Sequence, residues 1–220
     1  MPPIMTYEKS LNPEKALIWR IVHRDNVPWI LDNGLHCGNS GVRSPSWVDI
    51  GKATLITARA SQPVQAAPGG VINDYVPFYF TPFSVMMNNI ITGYNGVKKR
   101  GNDEIVLLVS SLHKVQALGL PFVFTDSHAS YQWANFYNDL SYLDKVDWPL
   151  LQQRDFRKNP EHPERFERYQ AEALIHRSLP VEALLGMICH NETICADIEK
   201  LLRPRSLDFK VLARPNWYFS

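Results

Sequence analysis

The stretch Arg168-Tyr169-Gln170-Ala171-Glu172-Ala173-Leu174-Ile175-His176 decides how the rest of the chain is read. Ala171, Ala173 and Ile175 alternate with Gln170, Glu172, Leu174 and His176, a period of two that predicts a half-buried strand with polar groups on one face. Glu172 is its central acid. Ahead of it, residues 151–168 are dense in charge, carry two prolines and have almost no apolar period, which predicts a long exposed loop. An acid on an ordered strand beside an arginine-rich loop suits a transferase that polarises one bond while admitting a large acceptor. The same residues also suit a surface glutamate on an edge strand.

Working outward, the 220 residues are 45% hydrophobic and 11% aromatic, enough to bury a core, and predict one domain over residues 1–220. A net charge of +1 excludes recruitment of nucleic acid or membrane by a global field, so any polyanion site has to be a local basic patch. No signal pattern or long apolar run is seen, which predicts a cytoplasmic protein with no membrane partner. The three cysteines, Cys37, Cys189 and Cys195, have neither zinc nor disulfide spacing and are expected as buried free thiols. No metal site is predicted.

In chain order, residues 1–12 read as a loose leader, and Asn12-Pro13-Glu14 as a cap for a short turn. Residues 16–23 then form a first strand. Residues 25–35 form a helix, with Asp25 or Asn26 as N-cap, Pro28 in the first turn and Gly34 as the stop. This order places Arg20, His23 and Asn26 near one rim. Residues 36–70 are a long loop of small and polar residues, with an irregular turn or strand at 51–59 and only Arg43 and Arg59 as arginines. Loops of that length inside a domain are usually binding elements, and arginine is the donor best matched to phosphate or carboxylate.

Residues 74–82, an aromatic run bounded by prolines, predict an edge strand or strand end. Helices are expected at 84–92 and 112–118, and strands at 104–109 and 122–125. Asp126 reads as the N-cap of an aromatic helix over 131–140. Ser127 and His128 are sequence neighbours there, a spacing that does not set a base on a nucleophile. Toward the end, residues 181–189 predict a short helix and strand, 193–202 an amphipathic helix, and 209–212 a last strand.

Taken together, "IWRIVHRDNVPWILDNGLHC", "NDYVPFYFTPFSVM", "FVFTDSHASYQWANFYNDLSYLDKVDW", "RYQAEALIH" and "RPNWYF" resemble the DarT family, bacterial toxins that ADP-ribosylate bases in single-stranded DNA. The resemblance covers nearly the whole chain. It implies an α+β, ADP-ribosyltransferase-like fold, with two antiparallel sheets around an NAD cleft and flanking helices. It also implies NAD as co-substrate, single-stranded DNA as acceptor and a macrodomain antitoxin that reverses the mark. Glu172 matches the family's catalytic glutamate and Arg59 the arginine of the loop that covers NAD, around residues 43–61. Arg20, Ile21, Val22, His23, Asn26, Arg59 and Tyr79 are the implied NAD contacts, although many members carry His where Arg20 stands. Tyr131, Trp133, Arg154 and Arg157 fall in the acceptor-recognising stretch, about residues 131–170, and are the implied DNA contacts.

In that family the arginine is described as taking the N3 proton of thymine. Because arginine stays protonated in nearly all proteins, Arg59 is read here as stabilising the developing thymine anion and reaching the NAD diphosphate. Guanine or an RNA base as acceptor, and a non-catalytic single-strand-binding module, remain open at this point.

Overall fold

The computed structural model describes residues 7–207 and 209–220. The expected leader lies partly outside them. Of the remainder, residues 7–10 make a helical turn, Ser10 and Leu11 are buried, and Asn12 accepts from the Lys15 N–H at 2.9 Å as a local cap. The chain then runs through β1 (Leu17–His23), α1 (Val27–Asn33), β2 (Leu35–His36), α2 (Ala53–Arg59), β3 (Tyr75–Tyr79), α3 (Val85–Thr92), β4 (Ile105–Ser111), α4 (Leu112–Ala117) and β5 (Phe122–Thr125). There follow β6 (Phe136–Tyr137), α5 (Trp148–Gln152), α6 (Pro163–Arg168), β7 (Glu172–His176), β8 (Ser178–Leu179), β9 (Gly186–Cys189), α7 (Glu192–Leu202) and β10 (Lys210–Ala213).

Eight strands form one sheet in the order β10-β9-β4-β1-β3-β7-β5-β6, antiparallel except between β9 and β10, and β2 pairs with β8 in a small second sheet. The large sheet is two halves joined at a weak seam. β1 pairs with β4 along its whole length and β3 with β7 along its whole length, but β1 meets β3 only at Trp19 opposite Tyr79. Pro77 explains part of this. The N–H and C=O of one strand residue point to the same neighbour, and the Pro77 carbonyl points toward β1, where it accepts from Arg20 Nη1 at 2.7 Å. Proline has no N–H to offer there, so the ladder is interrupted. The edge expected from the prolines is therefore corrected: β3 lies inside the sheet and behaves as an edge only on its β1 side.

The core gathers Ile18, Trp19, Phe78, Phe80, Val106, Leu108, Ala173, Ile175, Ile188 and the buried stripe of α7, Ile194, Ile198 and Leu202. A smaller cluster of Val64, Ile72, Tyr75, Val123, Ala129 and Leu174 covers the opposite face of β7. That second layer corrects the expected half-burial of β7, whose first four residues are all buried. Gly34 ends α1 at a φ of 76°, and a Cβ there would come within 2.7 Å of the Leu179 carbonyl oxygen, so the turn into β2 requires glycine.

Three local expectations are also corrected. Residues 53–59 are helical, not irregular. Residues 131–140 are not a helix; Asp126, instead of capping one, accepts from the Asn135 N–H at 3.1 Å and Asn135 Nδ2 at 2.7 Å and holds the segment as a looped turn. Residues 151–168 are not one loop: α5 is capped by Asp147, which accepts from the Leu150 N–H at 3.1 Å, and α6 begins on Pro163. Helices of one or two turns are set by capping and show too little apolar period to read.

Candidate active site

Glu172, the first residue of β7, is 0% exposed. Its backbone N–H donates to Thr125 Oγ1 at 3.1 Å, while that hydroxyl donates to the Ser127 carbonyl at 2.6 Å, locking β7 to the turn after β5. The carboxylate accepts from Arg59 Nη2 at 2.6 Å, from Arg59 Nη1 at 3.3 Å and from the Ala129 N–H at 3.2 Å. A two-pronged guanidinium and one peptide donor satisfy a buried charge that would otherwise be very costly. Burial acts to raise the Glu172 carboxyl, but the Arg59 charge and these hydrogen bonds outweigh it and hold the group below the ordinary carboxylate range. For Arg59, burial acts downward, the Glu172 charge more than offsets it, and the guanidinium ends above its ordinary value. Both groups are ionised at neutral pH.

Arg59 reaches Glu172 because α2 ends beside the turn after β5: Gln62 Nε2 donates to the Ser130 carbonyl at 2.9 Å and fixes the chain just past Arg59. His128 is the third side chain at this point, its Nδ1 standing 4.0 Å from Glu172 Oε1. Burial lowers the pKa of its ring below that of ordinary imidazole. Nδ1 accepts from the Ser130 N–H at 3.1 Å, so the neutral ring carries its proton on Nε2. In the sequence His128 carries no signal beyond its place beside Ser127; the tertiary turn brings it to the acid.

A cavity of about 440 Å³ opens at the seam between β1 and β3 and is walled by Arg20, Ile21, Val22, Asn26, Tyr79, Arg59 and His128, with residues 40–43 and 47–52 as its cover. Burial, with the nearby Arg59 charge, lowers the Arg20 guanidinium to about 10, still protonated at pH 7. Burial and the Glu172 charge raise the Tyr79 phenol, which stays neutral. Tyr79 is the ladder partner of Glu172, so the two side chains stand side by side on one face. His23 is placed elsewhere: it accepts from the Asp25 N–H at 3.2 Å, and its Nε2 lies 3.3 Å from Glu104 Oε1. The structure thus brings together six of the seven cavity residues expected from sequence and directs the His23 ring toward β4's leading turn.

Tyr131 and Trp133 stack on each other, with centroids 5.1 Å apart and planes within 6°. Trp133 is 60% exposed and anchored by Nε1 donating to Glu167 at 2.8 Å. Tyr131 also touches the His128 ring at 5.4 Å, so this platform adjoins the acid. Arg154 and Arg157 lie further off, Arg154 over the Phe83 ring at 3.3 Å and Arg157 paired with Asp155 at 2.8 Å. Among the described residues, no group of three or more His, Cys, Asp or Glu side chains is placed to hold a metal, and Cys37, Cys189 and Cys195 are buried free thiols.

A sheet parted at one seam, a cavity in the part lined by Arg59, and a buried glutamate paired with that arginine from behind define a site of the ADP-ribosyltransferase class. The chain belongs to the DarT family: the family model described as ssDNA thymidine ADP-ribosyltransferase, DarT, matches residues 19–219. It is 58% identical over 214 residues to a DNA ADP-ribosyl transferase of Escherichia coli O127:H6, covering 97% of this chain and 98% of that one. Among solved structures it is similar to Thermus sp. 2.9 DarT in complex with ADP-ribosylated ssDNA, with a TM-score of 0.86, 33% identity and coverage of 94% and 98%. Against the same Thermus protein in complex with NAD+ the TM-score is 0.82, with 32% identity and coverage of 94% and 99%.

Proposed function

We propose that this chain transfers ADP-ribose from NAD to N3 of a thymine in single-stranded DNA, with Glu172 and Arg59 as the catalytic pair. The observation that carries the reading is the Arg59–Glu172 pair: Arg59 lines the cavity with Tyr79 and His128, and the buried Glu172 lies directly behind it. The cavity fits NAD in its chemistry: apolar and aromatic walls for rings, and Arg20, Arg43, Lys52 and Arg59 along it for a diphosphate. When bound, NAD supplies an anomeric carbon activated by a cationic nicotinamide leaving group. Ile21 and Val22 shape the wall, and Tyr79 gives a neutral ring next to the acid.

In this reading Glu172 accepts a hydrogen bond from the 2′-hydroxyl of the nicotinamide ribose, and its charge offsets the positive charge that develops as the glycosidic bond breaks. The glycosidic electron pair leaves with nicotinamide, the new bond forms from thymine N3 to the anomeric carbon, and the N3 proton passes to solvent water. Arg59, protonated throughout, stabilises the thymine anion as it forms. The Nε2–H of His128 is a further donor for a base carbonyl. Tyr131 and Trp133 form the stacking surface for the strand, and Arg154 and Arg157 add charge along its path. A non-catalytic module gives no reason to bury a glutamate on an arginine at the floor of a cleft.

Two wider statements belong to the same proposal. Family membership supports a toxin held in check by a macrodomain antitoxin that removes the mark. No helix among the described residues is long and apolar enough to cross a membrane, which fits action on DNA in the cytoplasm. The test is mass spectrometry of short oligonucleotides incubated with protein and NAD. Modified thymine in single strands is expected; a mark on guanine, on RNA or on duplex alone would replace the acceptor, and no mark on any would remove the activity.

A further inference from the structure

We infer that Asn26 is a positioning residue for the transfer reaction: its side-chain amide fixes the segment that covers the cavity, and through it the helix that delivers Arg59. The inference rests on reading this cavity as the NAD site. Asn26 is buried at the end of the turn that follows β1. It does not cap α1, although its position there invites that role. Instead Nδ2 donates to the Val48 carbonyl at 2.8 Å and Oδ1 accepts from the Val48 N–H at 2.8 Å. A carboxamide has the donor–acceptor spacing of a peptide, so one side chain here completes a two-bond pairing of the kind strands make.

The geometry matters because residues 40–52 form no helix or strand of their own. Arg43 pairs with Asp49 inside the segment, which does not tie it to the body. Trp47 rests edge-on against Trp29 at 5.7 Å, and Lys52 donates to Asn95 Oδ1 at 2.9 Å at an exposed site. The Asn26 amide is the buried polar tie, and the chain it holds continues from Val48 directly into α2, whose last residue is Arg59. Loss of the tie leaves the Val48 N–H and C=O without partners, and the segment lifts to reach water. The cover loosens first. The Arg59–Glu172 pair, held separately by Gln62 on Ser130, is disturbed less.

The experiment compares wild type, Asn26→Leu, which keeps the volume and removes both bonds, and Asn26→Asp, which keeps the acceptor for Val48 N–H but turns a carboxylate oxygen to the Val48 carbonyl. Asn191→Ala, which removes the cap of α7, a helix that lends no residue to the cavity wall, is the control for general destabilisation. For Asn26→Leu the KM for NAD is expected to rise about tenfold or more, kcat to fall by a smaller factor, and the KM for oligonucleotide to stay within about twofold. Trypsin cleavage after Arg43 and Lys52 should accelerate by a similar factor, Asn26→Asp should lie no closer to wild type than halfway, and Asn191→Ala should change neither readout. Wild-type KM and wild-type cleavage in Asn26→Leu overturn the inference, as does a loss confined to kcat. If Asn26→Leu does not fold, Asn26→Ser, whose smaller side chain admits water to Val48, is read by the same criteria. A wild-type protein that transfers nothing from NAD removes the proposed function, while the trypsin comparison still decides whether Asn26 holds the cover.

Discussion

The floor of the cleft and its rim are built on opposite terms. At the floor, the Glu172 side chain is 0% exposed and Arg59 only 12%, and the acid is held by two guanidinium nitrogens and a peptide N–H. At the rim, Trp133 is 60% exposed, and Arg157, with its side chain 88% exposed, pairs with Asp155 two residues away. The floor is placed by β7, β5 and α2 through buried bonds; the rim is placed by exposed contacts, Trp133 on Tyr131 and Glu167, and Arg157 on Asp155. Chemistry here depends on desolvated groups whose geometry is over-determined, whereas strand recognition uses exposed rings and charges that a flexible partner can meet.

The comparison breaks most visibly at Glu172. Glu172→Gln keeps the size and one acceptor oxygen but removes the charge, and turnover should fall about a hundredfold or more with NAD and oligonucleotide binding within a few-fold. The proposed toxicity on expression should be lost with it. An active Glu172→Gln enzyme would falsify the assignment of chemistry to the floor.

Next in size is Arg59→Ala, which leaves a buried carboxylate unpaired and should cost about 3–5 kcal/mol of stability at neutral pH, measured by denaturant titration. Its pH dependence should also reverse. In wild type the folded-state Glu172 pKa is depressed, so its contribution is present above the unfolded carboxylate value and is lost as pH falls through the folded one. Without Arg59, burial is the largest remaining influence and raises the pKa, so stability should fall as pH rises from the unfolded value toward the folded one. A variant more stable at pH 8 than at pH 5 would contradict the proposed balance.

Smaller effects are expected at the rim. Trp133→Ala removes a stacking face, which is worth about 1–3 kcal/mol per base, and should raise the KM for single-stranded DNA with no change in the KM for NAD or in melting temperature. Arg157→Ala should be the mildest, flattening the salt dependence of DNA binding slightly at unchanged stability. Equal losses at Arg157 and Trp133 would mean that charge and not stacking dominates the rim.

Much of this architecture was legible in order along the chain. The two-residue period after Gln170, the helical stretch at 84–92, the glycine stop of α1 and the apolar stripe of α7 are local signals, and each gives the element that the structure contains. Arg59 and Glu172 were legible as a pair only through the resemblance of whole segments to a family, since nothing in their separation of more than a hundred positions relates them. Short elements failed where capping or stacking between neighbours overrides periodicity, as at residues 131–140 and 151–168.

Tertiary structure alone decided the rest. The prolines in and after β3 pointed to an edge strand or strand end, whereas the sheet order places β3 inside, with its interrupted ladder facing β1 at the cleft. His128 and Asn26 acquire their places from groups distant in sequence, the Glu172 carboxylate beside the imidazole and the Val48 peptide over the cavity. Sequence determines which groups are present and the local conformations they favour, because those depend on neighbours a few bonds away. Which buried donor meets which acceptor is set by packing of distant segments, where an unpaired polar group is too costly to leave.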